Sequence, residues 1–247
     1  MLKKLLIYSY FGRPQGWEEK YIANFNTLEK YGWDWLICTD VDVKSKGNVK
    51  VLPLNFEQYK DLVEKKFGVR PNWHITAQNQ ASRLLDNSAS GYLFEEYLKG
   101  YDFWGWTGLD VVMGRVDKWL TDEYLADCDV FGNDPDALNG CLSLLRNTEE
   151  NKFLFKAHPD WKRLLSDSGW FAFEENELSQ ILREMDKAGK IRFKTAFWIE
   201  GERNPLHSHA KHGVTLSMSK DGSLFNAYTG KEIMMFHFNY SKKYPNL

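Results

Sequence analysis

The acidic side chains that stand out in this sequence fall where apolar runs stop. Asp40 follows Trp33-Asp34-Trp35-Leu36-Ile37-Cys38-Thr39, and Asp110 lies in Trp106-Thr107-Gly108-Leu109-Asp110-Val111-Val112, just past the run that ends at Trp106. In open α/β sheets ligands gather at the carboxyl ends of the strands, where such a carboxylate can accept hydrogen bonds from a base or a ribose. An isolated Asp in the same place can equally close a turn on nearby backbone N–H groups, and spacing alone does not choose. Asp134 and Asp136, in Gly132-Asn133-Asp134-Pro135-Asp136, stand in the same relation to another apolar run. Glu174 and Glu175 open a predicted helix, where acidic residues also steady the helix dipole. His207-Ser208-His209-Ala210-Lys211-His212 has the H-x-H-x-x-H spacing that gathers imidazoles around zinc in metallohydrolases. Its context argues against zinc: it lies late in the chain, Lys211 stands where such sites often carry an Asp, and few residues follow to supply ligands. With Arg203, the cluster better suits a cationic loop closing over a diphosphate.

These side chains need elements to position them. Leu5-Leu6-Ile7-Tyr8-Ser9-Tyr10 is a continuous apolar run ending at Gly12-Arg13-Pro14, as expected of a strand covered on both faces. A helix from Trp17 to Tyr31, closed by Gly32, and a strand from Trp33 to Thr39 then imply a parallel pair. A third strand is expected over Val49 to Leu54, and a helix over Asn55 to Phe67, where Phe56, Tyr59, Leu62 and Val63 keep helical spacing. Further along, a helix is predicted over Gly91 to Leu98, strands over Tyr101 to Trp106, Cys128 to Phe131 and Cys141 to Leu145, and a helix opened by an Asn147-to-Glu150 capping box. A helix from Glu174 to Lys187 follows. Asp221-Gly222 marks a hairpin between Leu216–Lys220 and Ser223–Tyr228, before a last strand over Glu232 to Tyr240. The whole reads as one α/β domain over residues 1–247, with no linker or repeat.

Bulk properties narrow the partners. With 32 basic and 34 acidic residues the net charge is −2, which gives no electrostatic reason to expect nucleic acid or an anionic membrane. Ten Trp, 12 Tyr and 16 Phe exceed what an ordinary core of 247 residues needs, which suits sugar rings and nucleotide bases or equally an aromatic-rich core. The three cysteines, Cys38, Cys128 and Cys141, are odd in number and lie within apolar runs, so buried free thiols are expected. The amino terminus reads as a first strand rather than a signal peptide, and no segment has the apolar length to span a bilayer. A cytoplasmic location with at most peripheral membrane association is the expectation.

Tyr101-Asp102-Phe103-Trp104-Gly105, followed by Leu109-Asp110-Val111-Val112-Met113-Gly114, resembles a family of bacterial polysaccharide-type glycosyltransferases of GT-A fold. Asp34 to Asp40 resembles that family's second strand, Gly91 to Leu98 the helix before its central motif, Leu145 to Glu149 the following strand and helix, and Phe236-His237-Phe238 its closing strand. The pieces are short but occur in order along most of the chain. The resemblance implies a GT-A-like α/β fold, with a mixed, mostly parallel central sheet flanked by helices and a C-terminal hairpin. It also implies transfer of a sugar from a nucleotide-diphosphate sugar, by default a uridine diphosphate sugar, to a saccharide or other hydroxyl acceptor.

In such enzymes a D-x-D motif holds a divalent cation, Mn2+ or Mg2+, against the donor diphosphate. Here the motif reads Gly108-Leu109-Asp110, so the first carboxylate is missing, and Asp102 lies at the wrong end of the strand to replace it. Three outcomes stay open: a cation held by Asp110 and water, with His237 either a further ligand, as the resemblance implies, or a packed residue of the last strand; a cation-independent enzyme using cationic residues; or a degenerate binding protein. The resemblance further places the nucleotide around Tyr8, Tyr10, Phe11 and Gly12 together with Thr39 and Asp40. It makes Glu175, with Glu174 beside it, the candidate base for an inverting reaction, while Asp134 and Asp136, by their place after another strand, are candidates either to contact the transferred sugar or to shape a turn.

Overall fold

The computed structural model describes residues 1–12, 16, 18–75, 87–108, 110–169, 172–201 and 216–238. Its centre is a seven-stranded sheet. The first three strands, β1 (Lys4–Tyr10), β2 (Trp33–Thr39) and β3 (Val49–Pro53), follow the apolar runs closely. With β4 (Phe103–Thr107), β6 (Val130–Gly132), β7 (Leu142–Arg146) and β8 (Phe193–Thr195) they form the order β3-β2-β1-β4-β7-β6-β8. Only β7 is reversed, pairing antiparallel with both β4 and β6. The expected class is therefore the one observed: α/β, with a mixed, mostly parallel central sheet flanked by helices and a C-terminal hairpin.

Alternation along the strands explains why both faces are covered. Leu5, Ile7, Leu36 and Cys38 point into one apolar layer, while Leu6, Trp35 and Ile37 point into the other. Helix α1 (Glu18–Asn26) packs on the second layer and helix α2 (Phe56–Phe67) on the first. The α2 helix begins with a full capping box between Asn55 and Gln58, and stops at Gly68, whose left-handed φ of 70° ends the turn. At Gly105 in β4 a side chain would stand 1.9 Å from the Ser143 carbonyl, so the close β4–β7 approach requires glycine there.

Two smaller sheets complete the fold. One has the order β5-β13-β9, from β5 (Val111–Met113), β9 (Ile199–Gly201) and β13 (Met235–His237). The other contains the hairpin of β10 (Leu216–Met218) and β11 (Leu224–Asn226), plus β12 (Glu232–Ile233). The free edge of β5 is held by α1: Asn24 donates from Nδ2 to the Met113 carbonyl at 2.8 Å and accepts from the Met113 N–H at 2.9 Å. A buried side-chain amide thus takes the place of a neighbouring strand.

Several expectations need correction. The helix expected to Tyr31 ends at Asn26 and resumes as a 3-10 turn before Gly32. The helix expected over Gly91 to Leu98 is a short α3 (Ser90–Leu93) followed by a 3-10 turn. Asn147 is not a helix cap; its Nδ2 donates to the carbonyls of Leu98 and Tyr101, and Thr148 instead caps α5 (Glu149–Lys152). The last strand is interrupted at Met234, whose carbonyl accepts from Gly114 N–H, so β12 and β13 join different sheets. The short elements α4 (Asp122–Ala126), α6 (Trp161–Ser166), β5, β8 and β9 were not expected at all.

Candidate functional site

The carboxyl ends of β1, β2, β4 and β6 and the start of reversed β7 lie along one edge of the central sheet. At that edge the first two strand ends are tied together: the Gly12 N–H donates to Asp40 Oδ1 at 2.8 Å, with Gly12 at a φ of 102°. Asp40 is exposed, and among the described residues its second oxygen has no hydrogen bond. Thr39 is buried, and its Oγ1 accepts from the Val41 N–H at 3.1 Å. Phe11 is also buried, with its ring 4.8 Å from Tyr59 and 5.4 Å from Phe56, so its side chain serves the core. Tyr10 is buried and Tyr8 half-buried.

Beyond β4 the chain turns through Gly108 to Asp110 and enters β5, whose Val111 lies opposite His237 of β13. The Phe238 N–H donates to the Asp110 carbonyl at 2.9 Å, which fixes the two backbones beside each other. Their side chains meet: His237 Nε2 stands 3.2 Å from Asp110 Oδ2, with each side chain about a quarter exposed. The absent side chain at Gly108 belongs to this arrangement, because a Cβ there would lie 2.7 Å from Asp110 Oδ1. The carboxylate of Asp110 fills part of the space that a first-position side chain would take.

On its other side the His237 ring meets Cys141, one of the three buried thiols. Cys141 Sγ lies 3.3 Å from His237 Nδ1. The backbone of Cys141 is held at both ends: its N–H donates to Asn139 Oδ1 at 2.6 Å, and its carbonyl accepts from Thr107 Oγ1 at 2.7 Å. Asn139 is in turn pinned by the Trp106 Nε1–H on its carbonyl and by its own Nδ2 donating to the Asn133 carbonyl. All three cysteines are buried thiols, as expected.

Glu174 and Glu175 sit in a π turn, Glu174–Leu178, that leads into α7 (Ser179–Lys187). Their environments differ sharply. Glu174 is buried, accepts at Oε1 from Ser88 Oγ at 3.0 Å, and is pushed up to about 7 chiefly by burial. Glu175 is exposed, and its Oε1 lies 3.9 Å from where a Cβ on Gly140 would stand, next to Cys141. Ser179 holds this turn against the rim: its Oγ accepts from the Leu138 N–H at 2.8 Å and donates to the Glu174 carbonyl. Asp134 is half-buried after β6, accepts from the Asp136 N–H, and is raised mainly by burial.

The geometry of Asp110 and His237 admits a cation. An octahedral ion with ligands at ~2.1 Å has neighbouring ligands about 3 Å apart, close to the 3.2 Å between Oδ2 and Nε2. Among the described residues no group of three or more His, Cys, Asp or Glu side chains forms a ready-made metal cage. A cation here would therefore take its remaining ligands from water and a bound phosphate, the usual habit of Mg2+ at phosphate sites. Asp102 is excluded from the site, since its Oδ2 accepts from the Lys3 N–H at the opposite end of β4. Arg203, His207, His209, Lys211 and His212 lie outside the described residues. Among those that are described, no helix is long and apolar enough to cross a membrane.

Residues 6–243 match the model of a family described as "Family of unknown function (DUF6625)", and the chain belongs to that family. No curated protein matches its sequence. Among solved structures it is similar to the galactosyltransferase LgtC in complex with donor and acceptor sugar analogs, at 11% identity and a TM-score of 0.47, covering 95% of this chain and 86% of that one. It is similar also to mouse xyloside xylosyltransferase 1 in its apo form, at 11% identity and a TM-score of 0.45, covering 99% of this chain and 100% of that one.

Proposed function

We propose that this member of a family of unknown function is a glycosyltransferase that moves a sugar from a nucleotide-diphosphate sugar to a saccharide or other hydroxyl acceptor. The observation that carries the reading is the Asp110–His237 pair, set by β5 and β13 at the carboxyl edge of the sheet that also carries Gly12 and Asp40. A carboxylate and an imidazole at that edge suit a diphosphate, whose leaving charge must be neutralised as the glycosidic bond of the donor breaks. Mn2+ or Mg2+ held by Asp110 and His237 would supply that neutralisation when bound.

The chain's own groups supply the rest. Asp40, oriented by the Gly12 N–H, presents its second oxygen to a ribose hydroxyl or a base N–H. Glu175, exposed at the rim beside Gly140, is the group placed to take a proton from an acceptor hydroxyl in an inverting reaction. Glu174 is the wrong partner for that task, because its carboxyl is buried against Ser88; it positions the turn that carries Glu175. Uridine diphosphate is the base-bearing group suggested by the sequence resemblance.

One observation favours a second reading. Gly108 removes the first carboxylate of the motif, which suits a protein that binds a nucleotide sugar without transferring it. Donor hydrolysis separates the two: purified protein incubated with a panel of nucleotide sugars and Mn2+ is expected to release free nucleoside diphosphate from one of them. The Asp110→Asn variant is expected to lose that release by about 100-fold or more, the scale of losing one electrostatic contact to the leaving group. Specific binding without release in the unaltered protein would establish the non-catalytic reading instead.

A further inference from the structure

We infer that Cys141 is a positioning residue for His237, holding the imidazole so that Nε2 faces the Asp110 carboxylate and any cation bound there. The inference rests on the cation reading of that pair. His237 has both ring nitrogens engaged, Nδ1 with Cys141 Sγ at 3.3 Å and Nε2 with Asp110 Oδ2 at 3.2 Å. Cys141 itself is clamped by Asn139 and Thr107 on its two backbone groups, so its sulfur is presented from a fixed point.

Chemistry explains why a thiol suits this place. With no cation, Nε2–H donates to the Asp110 carboxylate, and Nδ1 has a lone pair that accepts from the thiol S–H. When Nε2 must offer its lone pair to a cation, the ring proton has to sit on Nδ1, where Nδ1–H donates to the sulfur. A thiol is both weak donor and weak acceptor, so Cys141 supports either tautomer without moving. Partners on the far nitrogen of a ligating histidine fix its tautomer and orientation, and their loss commonly lowers metal affinity about 10- to 100-fold.

The test compares the unaltered protein with Cys141→Ala, Cys141→Val and Cys141→Ser, using Mn2+ binding by calorimetry and 15N NMR of the metal-free histidine rings. Alanine and valine are expected to weaken Mn2+ binding by about tenfold or more and to shift the His237 Nδ1 resonance. Serine, which both donates and accepts, is expected to retain affinity to within about threefold. Unchanged ring resonances and unchanged Mn2+ affinity in Cys141→Ala would overturn the inference, and Cys141→Ser serves the comparison if alanine and valine do not fold. No Mn2+ binding in the unaltered protein, with the ring resonance still shifted by alanine, would overturn the cation reading while leaving the thiol–imidazole contact in place.

Discussion

Glu174 and Glu175 are neighbours in sequence with opposite physical roles. Burial keeps the Glu174 carboxyl protonated up to about pH 7 in the native state, against an ordinary value of 4.5 in the unfolded chain. Between those values the native state holds a proton that the unfolded chain has released. The contribution to stability is thus fully present below pH 4.5 and is lost as pH rises through 7. Glu174→Gln keeps an acceptor for Ser88 but cannot ionise. Urea midpoints measured from pH 5 to 8 should fall more steeply for the unaltered protein than for the variant, by up to roughly 3 kcal/mol across the window. Parallel curves would mean that Glu174 is already ionised in the fold. Glu175→Gln should behave differently. If Glu175 is the base, turnover with the identified donor and acceptor falls about 10²- to 10⁴-fold while nucleotide affinity stays unchanged, and undiminished turnover removes the assignment.

At the scale of elements, the site depends on a three-residue strand. The β5 strand, with Val111 opposite His237, brings the Asp110 side chain beside that histidine, and Asn24 of α1 satisfies both backbone groups of Met113. Asn24→Ala would leave a buried N–H and a buried carbonyl without those partners. A loss of about 2–4 kcal/mol in denaturant-derived stability is expected, as the cost of two such groups; a change within 0.5 kcal/mol would show that another group replaces the amide. This dependence was invisible in the sequence. The β1, β2 and β4 strands were legible because continuous apolar runs bounded by turn residues have a local signature. The β5 and β9 strands are too short to show a period, and their pairing partner β13 lies at the far end of the chain. The same limit applies to side chains. Asp110 and His237 were singled out by residue type and resemblance, whereas Cys141 read only as an apolar position because its histidine partner is 96 residues away. Asn147 misled for the opposite reason: its local spacing fitted a helix cap, and tertiary contacts to Leu98 and Tyr101 took its side chain instead.

For the molecule as a whole, the central sheet gathers Gly12, Asp40, Gly108, Asp110, Asp134 and Cys141 at one edge, while Asp102 lies at the other. A net charge of −2 offers little long-range attraction for an anionic donor, so the local groups at that edge must supply its recognition. A ligand that binds only the folded state raises apparent stability, by about 2.7 kcal/mol at 100 times its Kd. The most direct measurement is therefore the melting temperature with a panel of nucleoside diphosphates, with and without Mn2+, for the unaltered protein and Asp110→Asn. The account predicts that one nucleotide raises the melting temperature in the presence of Mn2+, and that Asp110→Asn abolishes the rise. Equal stabilisation of both proteins, or none with any nucleotide, would contradict it.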